Sequence, residues 1–431
     1  MPQWIAWTIY TPSSEYLLHS PAYVLLHHYF ELTVIVLNRW ELNTKPLMSV
    51  YAGLSLRKTL TSLTVRFPSA RTPRPTVLIP PIPNLKSFRA LSIDPLCYPD
   101  DISLLLLGSK KLTFLTLEWS PRMRREGEPS IQLGAYFGRC ISAGHKLPLQ
   151  RLSFKNMYAP NDQQFEQAFR PDTLHTVDFI NCANLWDPTT AFVDETWRFK
   201  HNRPRPDNLK SMRSDAVDKG HVEFLSGLHG LEEILMVSPL RKINEPSPGG
   251  RSGTASSNGG LDSPSPYQSD QITVSLASDY LAAICKQHGS TLRVLLLSEH
   301  FALSLKALAH LVDSCPKLEQ VAVTVDENDF ATLRSILASA PHLIAFRILV
   351  AKETDFYTAL KKFPDSSHGL PLSLELWREP YKNLKWFGLG DIVFRLGKNI
   401  KIGENWRRSV TTASWEDVKD IAIWGKDSLD V

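Results

Sequence analysis

The sequence contains few cysteines for its length, and none of them forms a Cys-x-x-Cys pair. There are five cysteines in 431 residues, an odd number of scattered thiols. They are Cys97, Cys140, Cys182, Cys285 and Cys315. This pattern favours neither a disulfide framework nor a zinc site. We therefore expect no metal and no cofactor, and a reducing compartment that is cytoplasmic and/or nuclear.

The chain also has little net charge. Its 48 Lys and Arg stand against 44 Asp and Glu, for a formal charge of +4. That excess is too small to attract nucleic acid or a membrane by itself. Basic residues do cluster at Arg122, Arg124 and Arg125 and through 198–213, but ordinary solvated loops have the same composition. A nucleic-acid-associated role that uses these basic loops is therefore the least favoured alternative.

Targeting and membrane-spanning segments are not evident. The opening residues lack a basic n-region and a clean apolar h-region, so no secretory signal is predicted. The apolar stretch Ala22 to Leu37 is interrupted by His27, His28 and Glu31, and it is shorter than a bilayer span. We expect no membrane association.

Catalytic motifs are missing as well. The sequence contains no G-x-S-x-G, no H-E-x-x-H and no G-x-x-x-x-G-K-[ST], the spacings that place nucleophiles, zinc ligands or phosphate-binding amides on one turn. The carboxylate pair Glu232 and Glu233 is expected at a solvated position. The sequence therefore predicts no enzyme.

What the sequence does contain is a recurring L-x-x-L-x-L pattern, with other large apolar residues allowed at the L positions. Neighbouring copies lie roughly 24 to 28 residues apart where the series is regular, a spacing typical of leucine-rich repeats. Asn181 and Cys182 follow one copy where that repeat prefers Asn or Cys. The copies begin at Leu60, Phe88, Leu112, Leu149, Leu174, Leu231, Leu292, Leu318, Leu343 and Leu384, with a weaker one at Leu209.

Segments with helical spacing separate these copies. In Phe301–Cys315 and Phe330–Ala340 the apolar residues recur on one helical face. Strand followed by helix, repeated, predicts an α/β leucine-rich-repeat solenoid, a horseshoe with a concave parallel β-sheet and outer helices. A doubly wound α/β domain is the competing architecture, but it calls for longer apolar strands and a glycine-rich first turn.

The chain divides into four predicted segments. Residues 1–54 form an N-terminal segment, and 55–243 a first arm of repeats. Residues 244–270 are a Gly/Ser/Pro stretch with almost nothing apolar to bury, so we predict a disordered loop. Residues 271–431 form a second arm with a C-terminal cap. Ser247, Ser263 and Ser265 precede proline and fit proline-directed phosphorylation, although a passive insertion is the simpler interpretation.

Several phrases resemble fungal F-box and leucine-rich-repeat proteins. They are Pro95–Ile102, Leu104–Leu107, Trp119–Arg125 and the ending Trp424–Asp430. The resemblance implies a substrate receptor of an SCF-type, cullin-based ubiquitin ligase, in which an F-box binds the adaptor subunit and the repeats bind a target protein. The first 50 residues lack a recognisable F-box motif, so we predict that the F-box is degenerate or missing. A repeat scaffold without a ligase link is the alternative.

The side chains between the L positions are the candidate protein-binding residues. Alternation along a strand sends the L residues inward and the intervening ones outward, onto the concave face. Tryptophan and arginine are the types most often found as interface anchors. The candidates are Thr116, Glu118, Arg151, Lys155, Asp178, Glu233, Gln320, Arg347 and Trp386.

Overall fold

A computed structural model describes thirteen parts of the chain. They are residues 34–37, 48–67, 76–94, 100–121, 133–159, 167–184, 206–215, 217–237, 270–325, 330–349, 378, 381–390 and 392–428. The chain divides into two compact units, Met1–Leu209 with Val431 (unit 1) and Lys210–Asp430 (unit 2). Most of the predicted N-terminal segment, the whole first basic cluster, residues 198–205 of the second and residues 244–269 of the predicted disordered loop lie outside the described residues.

Unit 1 alternates strands with short helices. Its strands are β1 (Val34–Leu37), β2 (Ser62–Arg66), β3 (Ser87–Ile93), β4 (Phe114–Trp119), β5 (Arg151–Lys155), β6 (Tyr158–Ala159), β7 (Thr176–Ile180) and β8 (Ala183–Asn184). Its helices are α1 (Met48–Ser55), α2 (Ser103–Gly108) and α3 (Leu133–Ser142), with a 3-10 turn at Pro171–Thr173. The Asp100 carboxylate accepts a hydrogen bond from the backbone amide of Ser103, the first residue of α2, at 3.1 Å.

The main strands of unit 1 pair in parallel and in chain order. The order is β1, β2, β3, β4, β5 and β7, while β6 and β8 form a separate two-residue pair. Leu63, Phe88, Leu115, Leu152 and Val177 occupy equivalent positions in successive strands. The predicted strands are therefore present, and their repeat positions lie side by side.

One predicted register is wrong. The sequence pattern begins the second copy at Phe88, followed by Leu91 and Ile93, but Phe88 pairs with Leu63 and Leu115, so that copy begins three residues earlier, at Leu85. The third position of the copy is Ala90, which is too small to stand out in a search for large apolar residues. β3 then continues through an irregularity between Ala90 and Ile93.

The repeat positions form the core of unit 1. Leu115, Leu152 and Val177 are fully buried. Trp119 packs edge-on against Tyr136 of α3, with ring centroids 6.0 Å apart, so α3 lies on the same face of the sheet as these apolar side chains. We call this the back face of a sheet, and the opposite face, which carries the residues between the repeat positions, the front face.

Unit 2 begins with the same alternation. Its strands are β9 (Ser211–Ser214), β10 (Glu233–Met236), β11 (Val294–Leu296), β12 (Ala302–Leu303), β13 (Gln320–Val325), β14 (Ala345–Ile348), β15 (Trp386–Leu389), β16 (Ile392–Ile402) and β17 (Asn405–Thr412). Its helices are α4 (Lys219–Ser226), α5 (Asp270–His288), α6 (Leu305–Ser314), α7 (Phe330–Ala338), α8 (Trp415–Val418) and α9 (Ala422–Gly425). The predicted helices at 301–315 and 330–340 correspond to α6 and α7.

The sheet of unit 2 is parallel until its last two strands. β9, β10, β11, β13, β14 and β15 pair in parallel in chain order, with Ile234, Leu295, Val321, Phe346 and Phe387 at equivalent positions. β16 and β17 then continue the sheet as an antiparallel hairpin. The weak copy at Leu209 is confirmed as a strand, because β9 pairs in register with β10.

The described residues thus form an α/β fold with mostly parallel strands. None of the helices in these residues is long and apolar enough to cross a membrane.

Candidate functional site

The front face of unit 1 is largely polar. Thr64, Arg89, Thr116, Ser153 and Asp178 lie at equivalent positions in five successive strands. The leucines of each strand point to the opposite face, so the polar character of this row does not come from the core. The predicted candidates Thr116 and Asp178 are therefore brought into one row, although both are nearly buried by their neighbours.

Arg151 and Asp178 form the best-defined contact of this face. The Arg151 guanidinium donates to Oδ2 of Asp178 through Nη2 at 2.8 Å and Nε at 3.1 Å. The Ser153 hydroxyl donates to the same oxygen at 2.7 Å. Asp178 is buried, whereas about half of the Arg151 side chain is exposed. The guanidinium therefore lies over a satisfied carboxylate and keeps an accessible edge.

Other charged side chains lie on this face. Lys155 Nζ lies 4.0 Å from a carboxylate oxygen of Glu118, a longer separation than that of Arg151 from Asp178. Partial burial, followed by repulsion from Arg151, lowers the pKa of Arg89, which still stays protonated at neutral pH. Phe114 presents 41% of its surface to solvent beside these charges.

The front face of unit 2 has a different character. Leu235, Leu296 and Ala322 occupy the positions between its repeat residues, and all three are buried. They are covered by the C-terminal segment Ser414–Ser428, whose helix α9 contacts β11 and β13. Ile423 and Trp424 of this helix are themselves buried. The chain's own C-terminal segment therefore occupies the face that the sequence predicts for a partner.

Charged and polar side chains of the sheet anchor this segment. Arg347 Nη1 lies 2.8 Å from Oδ2 of Asp427, and both side chains are buried. Lys426 Nζ lies 2.6 Å from Oε2 of Glu233. The Gln320 side-chain oxygen accepts a hydrogen bond of 3.3 Å from the backbone amide of Ile423. Three predicted binding residues, Glu233, Gln320 and Arg347, thus contact the segment directly.

Arg213 and Gly388 complete the contact with the segment. Arg213 donates from Nε to the carbonyl of Lys426 at 2.9 Å and from Nη2 to the carbonyl of Ser428. A Cβ on Gly388 would lie 2.8 Å from the ring of Trp424, so only glycine leaves room for that indole. The Arg347 guanidinium lies 6.0 Å from the centroid of the same ring.

Trp386, the ninth candidate, lies on β15, two residues before Gly388 and next to the antiparallel hairpin. It pairs with Arg395 of the antiparallel hairpin, whose guanidinium lies 5.7 Å from the centroid of the indole. Its ring is half-buried under that arginine. The predicted candidates therefore lie on the front faces of both units. That any of them binds a partner stays a prediction.

The candidate list omitted several residues of these faces. Arg89 and Phe114 of unit 1, and Arg213 with the whole C-terminal contact of unit 2, were not among the candidates. The sequence does indicate that the front face of unit 2 is covered, because Ile234–Val237 and Val294–Leu297 are apolar at every position. Strands of that kind are typical of sheets covered on both faces.

A metal site is not found among the described residues, where no three His, Cys, Asp or Glu side chains are grouped to hold an ion. No protein-family model matches the chain, and no curated protein sequence matches it significantly. The predicted family therefore stays a prediction.

Proposed function

We propose that the chain is a leucine-rich-repeat interaction protein that holds a partner protein on the front face of unit 1. The repeated pattern and the parallel strands in chain order within each unit support the repeat architecture, since a doubly wound sheet reverses its strand order. The proposal rests on the accessible group formed by Arg89, Phe114 and Arg151 on successive strands.

This group has the composition of a protein interface. Aromatic and arginine side chains dominate the binding energy of such surfaces. Arg89 and Arg151 lie close enough for repulsion to lower the pKa of Arg89. An acidic residue of a partner would relieve that repulsion, so the expected partner presents a carboxylate beside an apolar side chain that covers Phe114.

The ligase link is a second part of the proposal. The phrases that resemble fungal F-box proteins imply that the partner is a target for ubiquitination and that the adaptor and cullin subunits bind elsewhere on the chain. A scaffold without ligase subunits remains the alternative. No described observation favours nucleic acid: Lys210, from one basic cluster, lies 3.6 Å from Glu232, and Arg213 holds the C-terminal segment.

The test is affinity purification of the full-length chain from its native cells, with quantitative mass spectrometry. Arg89→Glu and Phe114→Ala should each reduce the specific partner at least tenfold, the loss expected for interface anchors. The matched control is Lys146→Glu, the same change of charge at an exposed position outside the strands. It should leave the partner unchanged.

The composition of the purified complex then decides between the alternatives. Recovery of the adaptor and cullin together with the partner supports the ligase receptor, whereas recovery of the partner alone supports the scaffold. If Arg89→Glu and Phe114→Ala both retain every specific partner, the front face of unit 1 is not the binding surface and the proposal fails.

A further inference from the structure

The C-terminal segment Ser414–Ser428 is attached to the sheet of unit 2 through side chains. Its backbone hydrogen bonds join residues of the segment to one another, as in Lys419 to Trp415, Trp424 to Ile421 and Lys426 to Ala422. Among the described residues, no backbone–backbone hydrogen bond joins the segment to the sheet. Side chains of the sheet make the polar contacts described above, to the backbone and side chains of the segment.

The sheet side of this contact is built like a peptide-binding groove. Its floor is apolar, formed by Leu235, Leu296 and Ala322, with space above Gly388 for an indole ring. Polar side chains that bind the backbone of the segment surround this floor. Arg213 donates to two carbonyls of the segment, and Gln320 accepts from one of its amides. Groups that bind a main chain fix the position of a ligand without depending on its side chains.

Two ion pairs bind charged side chains of the segment, one of them basic and the other acidic. Glu233 binds Lys426, and Arg347 binds the adjacent Asp427. The lysine contact is exposed to solvent, whereas the aspartate contact is buried. The groove therefore binds an aliphatic residue and a tryptophan and, after one glycine, a basic residue and an acidic one.

We propose that the front face of unit 2 is a peptide-binding groove, occupied in cis by the chain's own C-terminal segment, that accepts in trans a partner segment of the same chemistry. The inference deepens the proposed function, because it gives the protein a second binding face with a defined ligand class. Its occupant in trans is a short protein segment that carries Ile-Trp-Gly-Lys-Asp, as residues 423–427 do, or close equivalents.

Cis occupancy controls access to the groove. A segment tethered by a short linker has an effective concentration on the order of 1 mM, so it outcompetes a free peptide present at micromolar concentration. Trp424 is the largest buried side chain of the segment, and removing such an anchor weakens binding by roughly 30-fold or more. Loosening the tethered copy should therefore open the groove to a peptide added from outside.

The experiment uses the full-length chain and a fluorescein-labelled peptide of residues 414–428, measured by fluorescence anisotropy. The wild-type chain should show little binding at about 10 μM peptide, because the tethered segment fills the groove. The Trp424→Ala chain should bind the peptide at least tenfold more tightly. A peptide carrying Trp424→Ala and Asp427→Asn should not bind either chain, and adding Arg347→Met to the Trp424→Ala chain should abolish binding.

Trp406→Ala is the matched control variant. Trp406 is 48% exposed on the antiparallel hairpin, so the same substitution there should leave the groove closed and the peptide unbound. Hydrogen-exchange mass spectrometry provides the second measurement. In the Trp424→Ala chain, amides of 415–428 should exchange at least tenfold faster while those of β10 and β13 keep their protection.

Two results would overturn the inference. If the Trp424→Ala chain keeps the protection of its sheet but fails to bind the wild-type peptide, the face is not a groove for ligands in trans. If Trp424→Ala unfolds β10 and β13 together with the segment, the segment is an integral part of the core. Neither result affects the test of Arg89 and Phe114, which lie in unit 1 and are assayed by partner recovery.

Discussion

Two buried histidines of unit 2 should make it sensitive to mild acid. His288 is fully buried; the backbone amide of Leu231 donates to its Nδ1 at 3.3 Å, and its Nε2 lies 3.1 Å from the carbonyl of Leu225. This arrangement requires the neutral ring with the proton on Nε2, since protonated Nδ1 would face another N–H. His221 is also buried, with Nδ1 2.8 Å from the hydroxyl of Tyr280.

The size of the effect follows from the displaced pKa values. Burial lowers the pKa of both His221 and His288 from 6.5 to about 4. Because the folded state favours the neutral ring, its stabilisation is complete above about pH 6.5 and is lost as the pH falls towards 4. Between pH 7 and pH 5, each histidine should lower the free energy of unfolding by about 2 kcal/mol.

The assay is urea unfolding at pH 7 and pH 5, followed by pulse-labelling hydrogen exchange of peptides from α4 and α5. His288→Asn keeps an acceptor for the Leu231 amide but cannot be protonated. The substitution should therefore remove about half of the stability loss between pH 7 and pH 5, even though the variant is less stable than the wild type at pH 7. His300→Asn, at an exposed position, is the control and should leave the loss unchanged. If His288→Asn loses as much stability as the wild type between the two pH values, the buried ring does not titrate as argued.

Three further sets of substitutions test single contacts through urea unfolding of the unit that contains them. Asp427→Ala leaves the buried Arg347 guanidinium without its carboxylate and should lower the free energy of unfolding by about 3–5 kcal/mol. Adding Arg347→Met should recover part of that stability, and strictly additive costs of the two substitutions would contradict a direct coupling. Asp178→Ala should cost about 2–3 kcal/mol because it leaves the buried Ser153 hydroxyl and the Arg151 guanidinium without their acceptor. Arg151→Ala should cost less than about 1 kcal/mol because its guanidinium is half-exposed, and equal costs would refute this asymmetry. Asn156 has a φ of 58° and donates to the carbonyl of Trp119 at 3.2 Å. Asn156→Ala should therefore lower the free energy of unfolding by about 2 kcal/mol, and the stability of Asn156→Gly should lie between those of the Ala variant and the wild type. An Ala variant as stable as the wild type would show that neither feature matters.

Local spacing in the sequence predicts most of the strands. An L-x-x-L-x-L copy needs only its own six residues to show which side chains point inward, so copies such as Leu149–Phe154 are confirmed by the register. The copy around Ala90 was misplaced because burial there uses a small side chain. Asn181, predicted as the consensus position, has a φ of 52° and donates to Asn156 at 2.7 Å, a contact between successive copies.

The front faces were harder to predict than the strands. Repeat reasoning assumes that the concave side is open, and the contact of Gln320 with Ile423 joins residues 103 positions apart, far beyond any local pattern. The fully apolar strands of unit 2 did indicate a cover, but they could not identify it. Charge pairs such as Arg347 with Asp427 depend on how the chain returns to the sheet, which periodicity does not encode.

The antiparallel hairpin at the end of unit 2 has a consequence for self-association. A parallel array that adds one strand per copy has no natural stopping point, since its last strand offers the same hydrogen-bonding edge as every strand before it. β16 reverses direction, and its register shifts between Leu396 and Asn399. The edge strand of the described sheet is β17, which runs in the direction of β15 but pairs irregularly with β16. A neighbouring molecule therefore meets an interrupted hydrogen-bonding ladder, and the hairpin opposes growth of the array into a fibre.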